Sequence, residues 1–479
     1  MAASEGGLSS YPYAAERSYQ GFRDAVLSDH HQNEVAQRHH RRFRLSESHS
    51  IHSDREFDVT SASTLAVPPP GGPGSPLSES LSGEVTAQGC LDRWLAARGG
   101  HLVAIRRHIH AHPELSHQEF QTAALVAQEL AAVGLEPRLL AGGNGVICEV
   151  GSGDRVIALR ADLDALPLPD TKNVPYRSTV PGVTHACGHD VHTTMLLGAG
   201  QVLAQLAAND MLTGRVRLLF QPAEEHAPLG APQMIAAGAL TDAEMIFALH
   251  CAPHIPTGYV GIRPGPITAA SDLVEVRLLG RGGHTARPHL TADLVHALGR
   301  VVVDAPALLA RRVDPRAGVS MVFGAVRAGE APNTIPIEGV ARATVRVLSR
   351  ETWRQVPDLV TQLIRDVVAG TGVEVEINYI RGVPPVINDP TATAVATAAV
   401  GVALGPDRVV EAEISMGGED FAFYAEQVPA SMLRLGTGIA GAEPLDIHQS
   451  NFDVDERSID CGVRVLVQTA LTALATPGR

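Results

Sequence analysis

Cysteine is scarce in this chain, and its distribution is not that of a disulfide framework. Five cysteines occur among 479 residues, which is an odd and sparse count. Proteins that rely on disulfides use dense, paired cysteines, so this count favours a reducing compartment. We therefore expect free thiols, which can serve as metal ligands.

Long apolar runs and an excess of positive charge are also missing. No stretch approaches the roughly 18 consecutive apolar residues that a membrane-spanning helix needs, and the N-terminus lacks the basic and apolar regions of a signal peptide. The formal net charge of −14 argues against a nucleic-acid-binding surface. These absences predict a cytoplasmic protein that binds neither nucleic acids nor membranes.

The chain is long enough for two or more domains, but residues 1–88 differ from the rest. They are polar, with a His/Arg patch at residues 38–42 and a Pro/Gly run at residues 68–75. So few apolar residues cannot offset the entropy lost on ordering, and we predict a disordered N-terminal extension. Its basic patch is then either a solvated tail or a site for a metal or an anion.

The stretch His185-Ala-Cys-Gly-His-Asp190 is the first candidate site. Cys187 and His189 are two residues apart, and a thiolate and a neutral imidazole are both good ligands for a zinc-like metal. The glycine between them lets the backbone turn tightly, and apolar residues at helical spacing follow from Val191. The stretch is either a metal-binding loop leading into a buried helix or a structural cysteine beside a helix-capping aspartate.

Further candidates come directly after short apolar runs that predict strands: Asp162, the pair Glu224 and Glu225, and His250. Ligands collect at the carboxyl ends of strands in open α/β sheets, so these residues are predicted to share one site. Asp162 is interpreted as a carboxylate that orients a metal-bound histidine, with a turn-forming residue as the alternative. One glutamate can bind metal while the other holds a water or a proton, unless both are solvated.

The middle of the chain changes to half-exposed strands and amphipathic helices in the order βαββαβ. This is the order of a ferredoxin-like α+β domain, in which helices back an antiparallel sheet, and we place it at residues 271–384. Three of its residues are candidates for ligand contact. His284 follows a glycine-rich turn, Asn333 lies in a polar loop, and Arg346 lies on a polar strand face. A guanidinium there can bind a carboxylate or simply face solvent.

The chain then returns to the α/β pattern, so residues 89–270 and 385–479 are predicted to form one catalytic domain. His448 lies in the loop before the final predicted helix. It completes a set of possible metal ligands: Cys187, His189, Glu225, His250 and His448. Five ligands exceed a tetrahedral zinc site and fit two divalent metal ions that share a bridging ligand.

The order of these motifs resembles the two-metal aminoacylase/carboxypeptidase family. The similarity is carried by RHIHAHPELS at residues 107–116, RADLDALP at 160–167, HACGHD at 185–190, FQPAEE at 220–225, GRGGHTARP at 280–288, NTIP at 333–336 and GGEDF at 417–421. The closer match is the amidohydrolase branch, with hippurate hydrolases, N-acetyl-diaminopimelate deacetylases and plant indole-acetyl-amino-acid hydrolases. The similarity begins at about Leu91 and leaves residues 1–88 unexplained.

The resemblance implies a fold class and a role for each site residue. The fold is α/β, with a mostly parallel sheet flanked by helices and the inserted ferredoxin-like domain as a lid or dimerisation domain. In that branch the metal ligands fall on the five residues above, and the general base falls on Glu224. His284 would stabilise the oxyanion together with a metal, and Arg346, with Asn333, would hold the carboxylate of an amino acid. Elsewhere in the family, a metal-binding histidine takes the position of Arg160.

The predicted function is a metal-dependent amidohydrolase that cleaves N-acyl amino acids into a carboxylate and a free amino acid. The metals would be zinc, manganese or cobalt, and a homodimer would form through the open edge of the inserted sheet. The alternatives are a dipeptidase or carboxypeptidase of the same family and a non-catalytic metal-bound binding protein. The sequence leaves open the acyl group, the amino acid and whether His284 acts in its own subunit or its partner's.

Overall fold

The computed structural model describes residues 86–441, 443 and 445–477. The extension predicted at residues 1–88 lies outside this range except for its last three residues. Helix α1 begins at Ala87, where the side chain of Thr86 accepts a hydrogen bond from the backbone N–H of Gly89 at 3.1 Å. This cap starts the helix before the apolar periodicity becomes visible at Leu91, so α1 includes the last two residues of the predicted extension.

The described residues alternate between helices and strands, with one run of antiparallel strands in the middle. The helices are α1 Ala87–Ala111, α2 Phe120–Ala131, α3 His189–Ala208, α4 Gly230–Ala236, α5 Leu294–Arg312, α6 Arg350–Val368, α7 Pro390–Ala403, α8 Ala422–Ala425 and α9 Arg457–Ala475. The strands are β1 Arg138–Leu139, β2 Val146–Gly151, β3 Val156–Asp162, β4 Arg215–Gln221, β5 Ala243–Pro256, β6 Val260–Ile262, β7 Gly265–Pro266, β8 Ala270–Leu279, β9 Gly283–His284, β10 Ser320–Ala328, β11 Thr334–Ile335, β12 Glu338–Val347, β13 Glu374–Val383, β14 Ile387–Asn388, β15 Val409–Glu411 and β16 Ala430–Gly438.

The central sheet has the strand order β1-β2-β4-β3-β5-β16-β6-β15. Its middle strands β4, β3, β5 and β16 are parallel, whereas β1 and β2 join antiparallel at one edge. The large core packs α1, α2, α3, α7 and α9 on one face, and a smaller core packs α4 and α8 on the other. All seven residues of β3 are buried, as expected for a sheet covered on both faces. The predicted α/β fold with a mostly parallel sheet is confirmed.

The second sheet is fully antiparallel, in the order β10-β12-β8-β13. Strand β8 alternates buried and half-buried residues, so one face of the sheet packs against α5 and α6 around an aliphatic core. The elements follow the chain in the order β8, α5, β10, β12, α6, β13, which is the βαββαβ order predicted from the sequence.

Helix α9 is long and apolar enough to cross a membrane if only length and composition are considered, with a mean hydropathy of 1.2. In the structure, 61% of this segment is buried, and it packs against α3 and α7. The same length and composition are found in the core helices of folded domains, which is the position that α9 occupies here.

Candidate metal centre

The strand-end candidates lie on one face of the central sheet, close to the carboxyl ends of its parallel strands. On β3, Arg160 and Asp162 follow Ala158, which packs in the smaller core with α4 and α8. On β5, His250 follows Ala248 of the same core. Residues two apart on a strand face the same side, so these polar side chains leave the sheet together.

Cys187 and His189 reach the site from the loop that leads into α3. Gly188 between them has a φ of 89°, and a Cβ at this position would lie 2.7 Å from the Sγ of Cys251. Both the backbone conformation and the available space therefore require glycine here. The turn brings Sγ of Cys187 to 3.6 Å from Nε2 of His250. The candidate loop at residues 185–190 therefore meets the candidate histidine of β5.

The potential ligand atoms form two groups that share one thiol. Cys187, His189 and His250 make the first group and Cys187, Glu225 and His448 the second, with the atoms of each group within 4.8 Å of one another. Oε1 of Glu225 lies 3.2 Å from Nε2 of His448 and 3.8 Å from Nε2 of His189. Nε2 of His189 and Oε1 of Glu225 are buried and make no hydrogen bond within the described chain. Such orphaned atoms are costly, so this donor set fits two divalent metal ions bridged by a thiolate.

The imidazoles of the first group are oriented by acceptors on their other ring nitrogen. Nδ1 of His189 donates to the backbone carbonyl of Asp164 at 2.9 Å and lies 3.2 Å from its Oδ1. Nδ1 of His250 donates to the carbonyl of Cys251 at 2.8 Å. Because a carbonyl can only accept, the proton sits on Nδ1 and the Nε2 lone pair faces the ligand groups. Burial, and then the charge of Arg434, hold the pKa of His250 well below its usual range.

Asp162 contacts two histidines and an arginine of the site. Its Oδ1 accepts from Nδ1 of His192 at 2.7 Å, and its Oδ2 accepts from Arg160 at 2.5 Å and lies 3.7 Å from Nε2 of His189. The residue that holds Nδ1 of His189 is Asp164. The sequence places both aspartates at one strand end, and only the path of the chain after β3 decides which carboxylate meets which imidazole.

His192 is a residue of the site that the sequence analysis missed. Its Nε2 accepts a hydrogen bond from the backbone N–H of Cys251 at 2.8 Å, while its Nδ1 donates to Asp162. Both ring nitrogens are used by contacts within the fold, so His192 ties α3 to the end of β3 and to the middle of β5. The sequence feature that could have identified His192 is its position three residues after His189, on the same side of the helix.

Glu224 lies beside the ligand groups and against a buried cluster of charges. Its carboxylate is within 4.8 Å of those of Glu419 and Asp420, and also of that of Glu225. Arg160 donates to Glu419 at 3.1 Å and to Asp420 at 2.8 Å. Burial, followed by the charges of Glu419, Glu225 and Asp420, raises the pKa of Glu224 well above its usual range. The sequence analysis used the motif that contains Glu419 and Asp420 only as a mark of the family.

His448 enters the site from the loop between β16 and α9. Its backbone N–H donates to the carbonyl of Ala186 at 2.7 Å, and its φ is 62°. Contacts with Cys187 and Glu225 raise the pKa of His448 to about 10. This loop, which is distant in sequence from Cys187 and Glu225, therefore supplies the third residue of the second ligand group.

His284 and Asn333 come together in the second sheet's domain, apart from the ligand groups. Strand β9 pairs with β11 so that Thr334 is opposite His284, and the N–H of Thr285 donates to the carbonyl of Asn333 at 3.1 Å. His284 is exposed, and its Nδ1 accepts from the N–H of Ala286 at 3.0 Å. Within the described residues, no hydrogen bond or ion pair joins either side chain to a ligand residue.

Arg346 lies at the end of β12 that faces the central domain. Its register partner on β8 is Ser271. A Cβ built on Gly418 would lie 2.9 Å from the Cβ of Ser271, and Gly418 directly precedes Glu419. The strand β8 beside Arg346 therefore packs against the segment that carries Glu419, and the charge that acts on Arg346 is that of Asp272.

Comparison with known proteins relates this chain to a family of hydrolases. Residues 158–472 match the sequence model of peptidase family M20/M25/M40. An N-acetylcysteine deacetylase from Bacillus subtilis is 35% identical over 384 residues, which cover 78% of this chain and 97% of that protein. A crystal structure of a dinuclear metal-binding peptidase of the M20 family from Bacillus subtilis superposes with a TM-score of 0.70 at 33% identity, covering 80% of this chain and 100% of that one.

One relative is much longer than this chain. A protein from Rhodococcus jostii (strain RHA1) named as glutamate–cysteine ligase 2-3 is 50% identical over 374 residues, which cover 78% of this chain but 46% of that protein. The chain thus spans less than half the length of this relative. The ligase name belongs to that longer protein. The family match covers more than half of the chain, and the resemblance inferred from the motifs is confirmed. The chain therefore belongs to peptidase family M20/M25/M40, a family of metal-dependent hydrolases.

Proposed function

We propose that this chain is a two-metal amidohydrolase that cleaves N-acyl amino acids into a carboxylate and a free amino acid. The observation that carries the proposal is that Cys187 belongs to both ligand groups while Glu224 lies beside them. A shared thiolate fits two metal ions, and a neighbouring carboxylate fits proton transfer. The names of the two Bacillus subtilis proteins, a deacetylase and a dinuclear metal-binding peptidase, support the reaction class and the number of metals.

His189 and His250 would hold one metal ion, and Glu225 and His448 the other, with Cys187 between them. Asp164 and the carbonyl of Cys251 fix the two imidazoles of the first group. When bound, the metals would acidify water and polarise the amide carbonyl. Zinc, manganese and cobalt are the proposed ions, and the thiolate ligand favours zinc.

Glu224 would act first as general base and then as general acid. Its carboxylate would accept a proton from the attacking water and later pass this proton to the leaving amine. Burial, followed by the charges of Glu419, Glu225 and Asp420, raises the pKa of Glu224, which suits a group that must hold the proton between the two steps. A protein that only binds metal and ligand has no use for such a group, so Glu224 argues against the non-catalytic alternative.

Arg346 would hold the α-carboxylate of the substrate, together with Asn333. The guanidinium of Arg346 is half-buried and makes no hydrogen bond or ion pair within the described chain, which leaves its fork for a carboxylate. His284 would stabilise the oxyanion. Since no contact joins His284 to the ligand groups, either a movement of its own domain or a second copy of the chain in the proposed homodimer must bring it there.

The test is hydrolysis of hippurate and a panel of N-acetyl amino acids by the full chain. We expect activity that is lost on treatment with a chelator and restored by zinc, manganese or cobalt, with two ions per chain by mass spectrometry. Faster hydrolysis of dipeptides with a free amino group would favour the peptidase alternative. A fully metallated protein that hydrolyses none of these compounds would contradict the proposal.

The cytoplasm is the proposed location of the protein. All five cysteines are free thiols, which is typical of a reducing compartment.

A further inference from the structure

Arg434 on β16 lies beside the metal centre, next to a potential ligand. It is the register partner of His250 on the adjacent parallel strand β5. Met432, two residues earlier, packs in the same core as Ala248, so Arg434 and His250 leave the sheet on the same face. The sequence analysis did not single out Arg434, because an arginine inside an apolar strand carries no motif.

The guanidinium of Arg434 has no hydrogen-bond or ion-pair partner among the residues that the structure describes. The charges that act on it at longer range are those of Glu419, Cys187 and Glu224. Arg160, two strands away on the same face, donates to four acceptor side chains. The two arginines therefore differ in their direct partners: Arg160 has four acceptors, whereas Arg434 has none among the described residues.

The surroundings of Arg434 cover it only in part. Its neighbour on the other side is Gly261 of β6, and the space over this glycine is filled by the side chains of Ile255 and Ala412. Arg434 is half-buried and keeps some contact with solvent. A half-buried cation without a partner costs free energy, and a carboxylate that enters the site would complete it with two parallel hydrogen bonds.

We propose that Arg434 binds a second carboxylate of the substrate, in addition to the α-carboxylate assigned to Arg346. The inference rests on the proposed function. Arg346 belongs to the second sheet and Arg434 to the central sheet, beside His250, so the two guanidiniums approach the substrate from different domains. The preferred substrate is then an N-acyl amino acid with two carboxylates, the second one on the acyl group or on the amino-acid side chain.

The experiment compares matched substrates that differ only in the second carboxylate. One arm uses N-succinyl-leucine and N-(4-methylpentanoyl)-leucine, in which an isopropyl group replaces the carboxylate. The other arm uses N-acetylglutamate and N-acetylglutamine. The kcat/KM of each compound is measured for the wild type, Arg434→Met and Arg434→Lys. Metal content and the midpoint of urea unfolding are measured for each variant, so that a lost metal or a damaged fold is recognised.

We expect the wild type to prefer the doubly charged compound by about tenfold or more in one arm, which is the scale of one charge-assisted pair. That arm identifies which half of the substrate meets Arg434. Arg434→Met should bring the ratio close to one, and Arg434→Lys should retain part of it, because the cation remains but the fork is lost. Absence of a preference in both arms, or an equal loss for both members of each pair in Arg434→Met, overturns the proposal. If the metallated wild type hydrolyses none of the four compounds, the proposed function fails with it.

Discussion

Glu224 and Glu225 are adjacent in the chain, but their carboxylates have different surroundings. Glu225 lies with Cys187 and His448, whereas Glu224 lies against Glu419 and Asp420. Both residues lie in the loop after β4, and their different neighbours separate a proposed ligand from a group proposed to move protons. Substitutions that keep the shape of each side chain can test this separation.

Glu224→Gln should keep both metals and the fold, because the amide and the carboxylate are nearly isosteric. It should lower kcat by roughly 100-fold or more, the contribution of general base catalysis. Glu225→Gln and Cys187→Ser should instead lose metal, and added metal should restore part of their activity. Metal content by mass spectrometry and steady-state rates check this. A metal-free Glu224→Gln beside a metal-loaded but slow Glu225→Gln would reverse the two roles.

The carboxylate of Asp164 provides a second test at the residue scale. It contacts Nδ1 of His189 at 3.2 Å and accepts from Oγ of Ser116 at 2.6 Å. Asp164→Asn should weaken metal binding by no more than about 10–100-fold, because it removes the carboxylate charge beside His189 while the backbone carbonyl keeps its hydrogen bond to Nδ1. The metal dissociation constant is measured by competition with a chelator. Ser116→Ala is the control, because it removes a hydrogen bond to the same carboxylate and leaves the contact with His189 in place.

At the scale of elements, α1 fixes two segments that carry potential ligands. The fully buried guanidinium of Arg106 on α1 binds Asp190 at 2.8 Å and Asp453 at 3.0 Å. Asp190 directly follows His189 in α3, and Asp453 lies in the loop that carries His448. One side chain therefore holds both sides of the metal centre in place, although it touches no ligand.

Arg106→Met should destabilise the protein by about 3–5 kcal/mol, because it leaves buried carboxylates without their partner. It should also weaken metal binding. Urea unfolding and metal competition measure the two effects. The control is Arg107→Met, whose half-exposed guanidinium binds Glu456 at 2.6 Å and should contribute less than about 1 kcal/mol. Equal effects of both substitutions would show that the burial of Arg106 does not increase its contribution to the free energy of unfolding or to metal binding.

At the scale of the whole molecule, β10 is an open edge of the second sheet. Val322 and Val326 on this strand are 61% and 50% exposed. Open edges with apolar residues are usually paired or covered, which supports the proposed homodimer through this domain.

The double substitution Val322→Glu with Val326→Glu should therefore yield monomers, because charges on the edge oppose pairing. Light scattering at micromolar concentration measures the mass. Val402→Glu is the matched control, since Val402 is 63% exposed on α7 of the central domain and should leave the dimer intact. A wild-type monomer at this concentration would contradict the prediction.

A chain that begins at Val85 should fold and keep its activity and metal content. Residues 1–88 contain few apolar residues and a Pro/Gly run, and Thr86 supplies the cap of α1. Within that shortened chain, Thr86→Ala should cost about 1 kcal/mol of unfolding free energy. Urea unfolding, metal analysis and kcat/KM for N-acetyl amino acids check both changes. Aggregation of the shortened chain, or loss of its metal, would show that the removed residues are needed.

The sequence alone determined the α/β fold, the inserted βαββαβ order and the meeting of Cys187, His189, Glu225, His250 and His448. These could be predicted because apolar periodicity is local and because the carboxyl ends of parallel strands meet at one edge of a sheet. The roles of these residues, like the domain boundaries, stay predictions.

Only the tertiary structure decided which polar groups meet. It brought Asp164 to Nδ1 of His189 and Asp162 to Nδ1 of His192. It also left Arg434 without a direct partner among the described residues while surrounding Arg160 with acceptors. These outcomes depend on side-chain directions and on contacts between residues far apart in the chain. No local pattern encodes such contacts. The sequence around a charged residue at a strand end is the same whether that residue pairs with another side chain of the protein or with a group of the substrate.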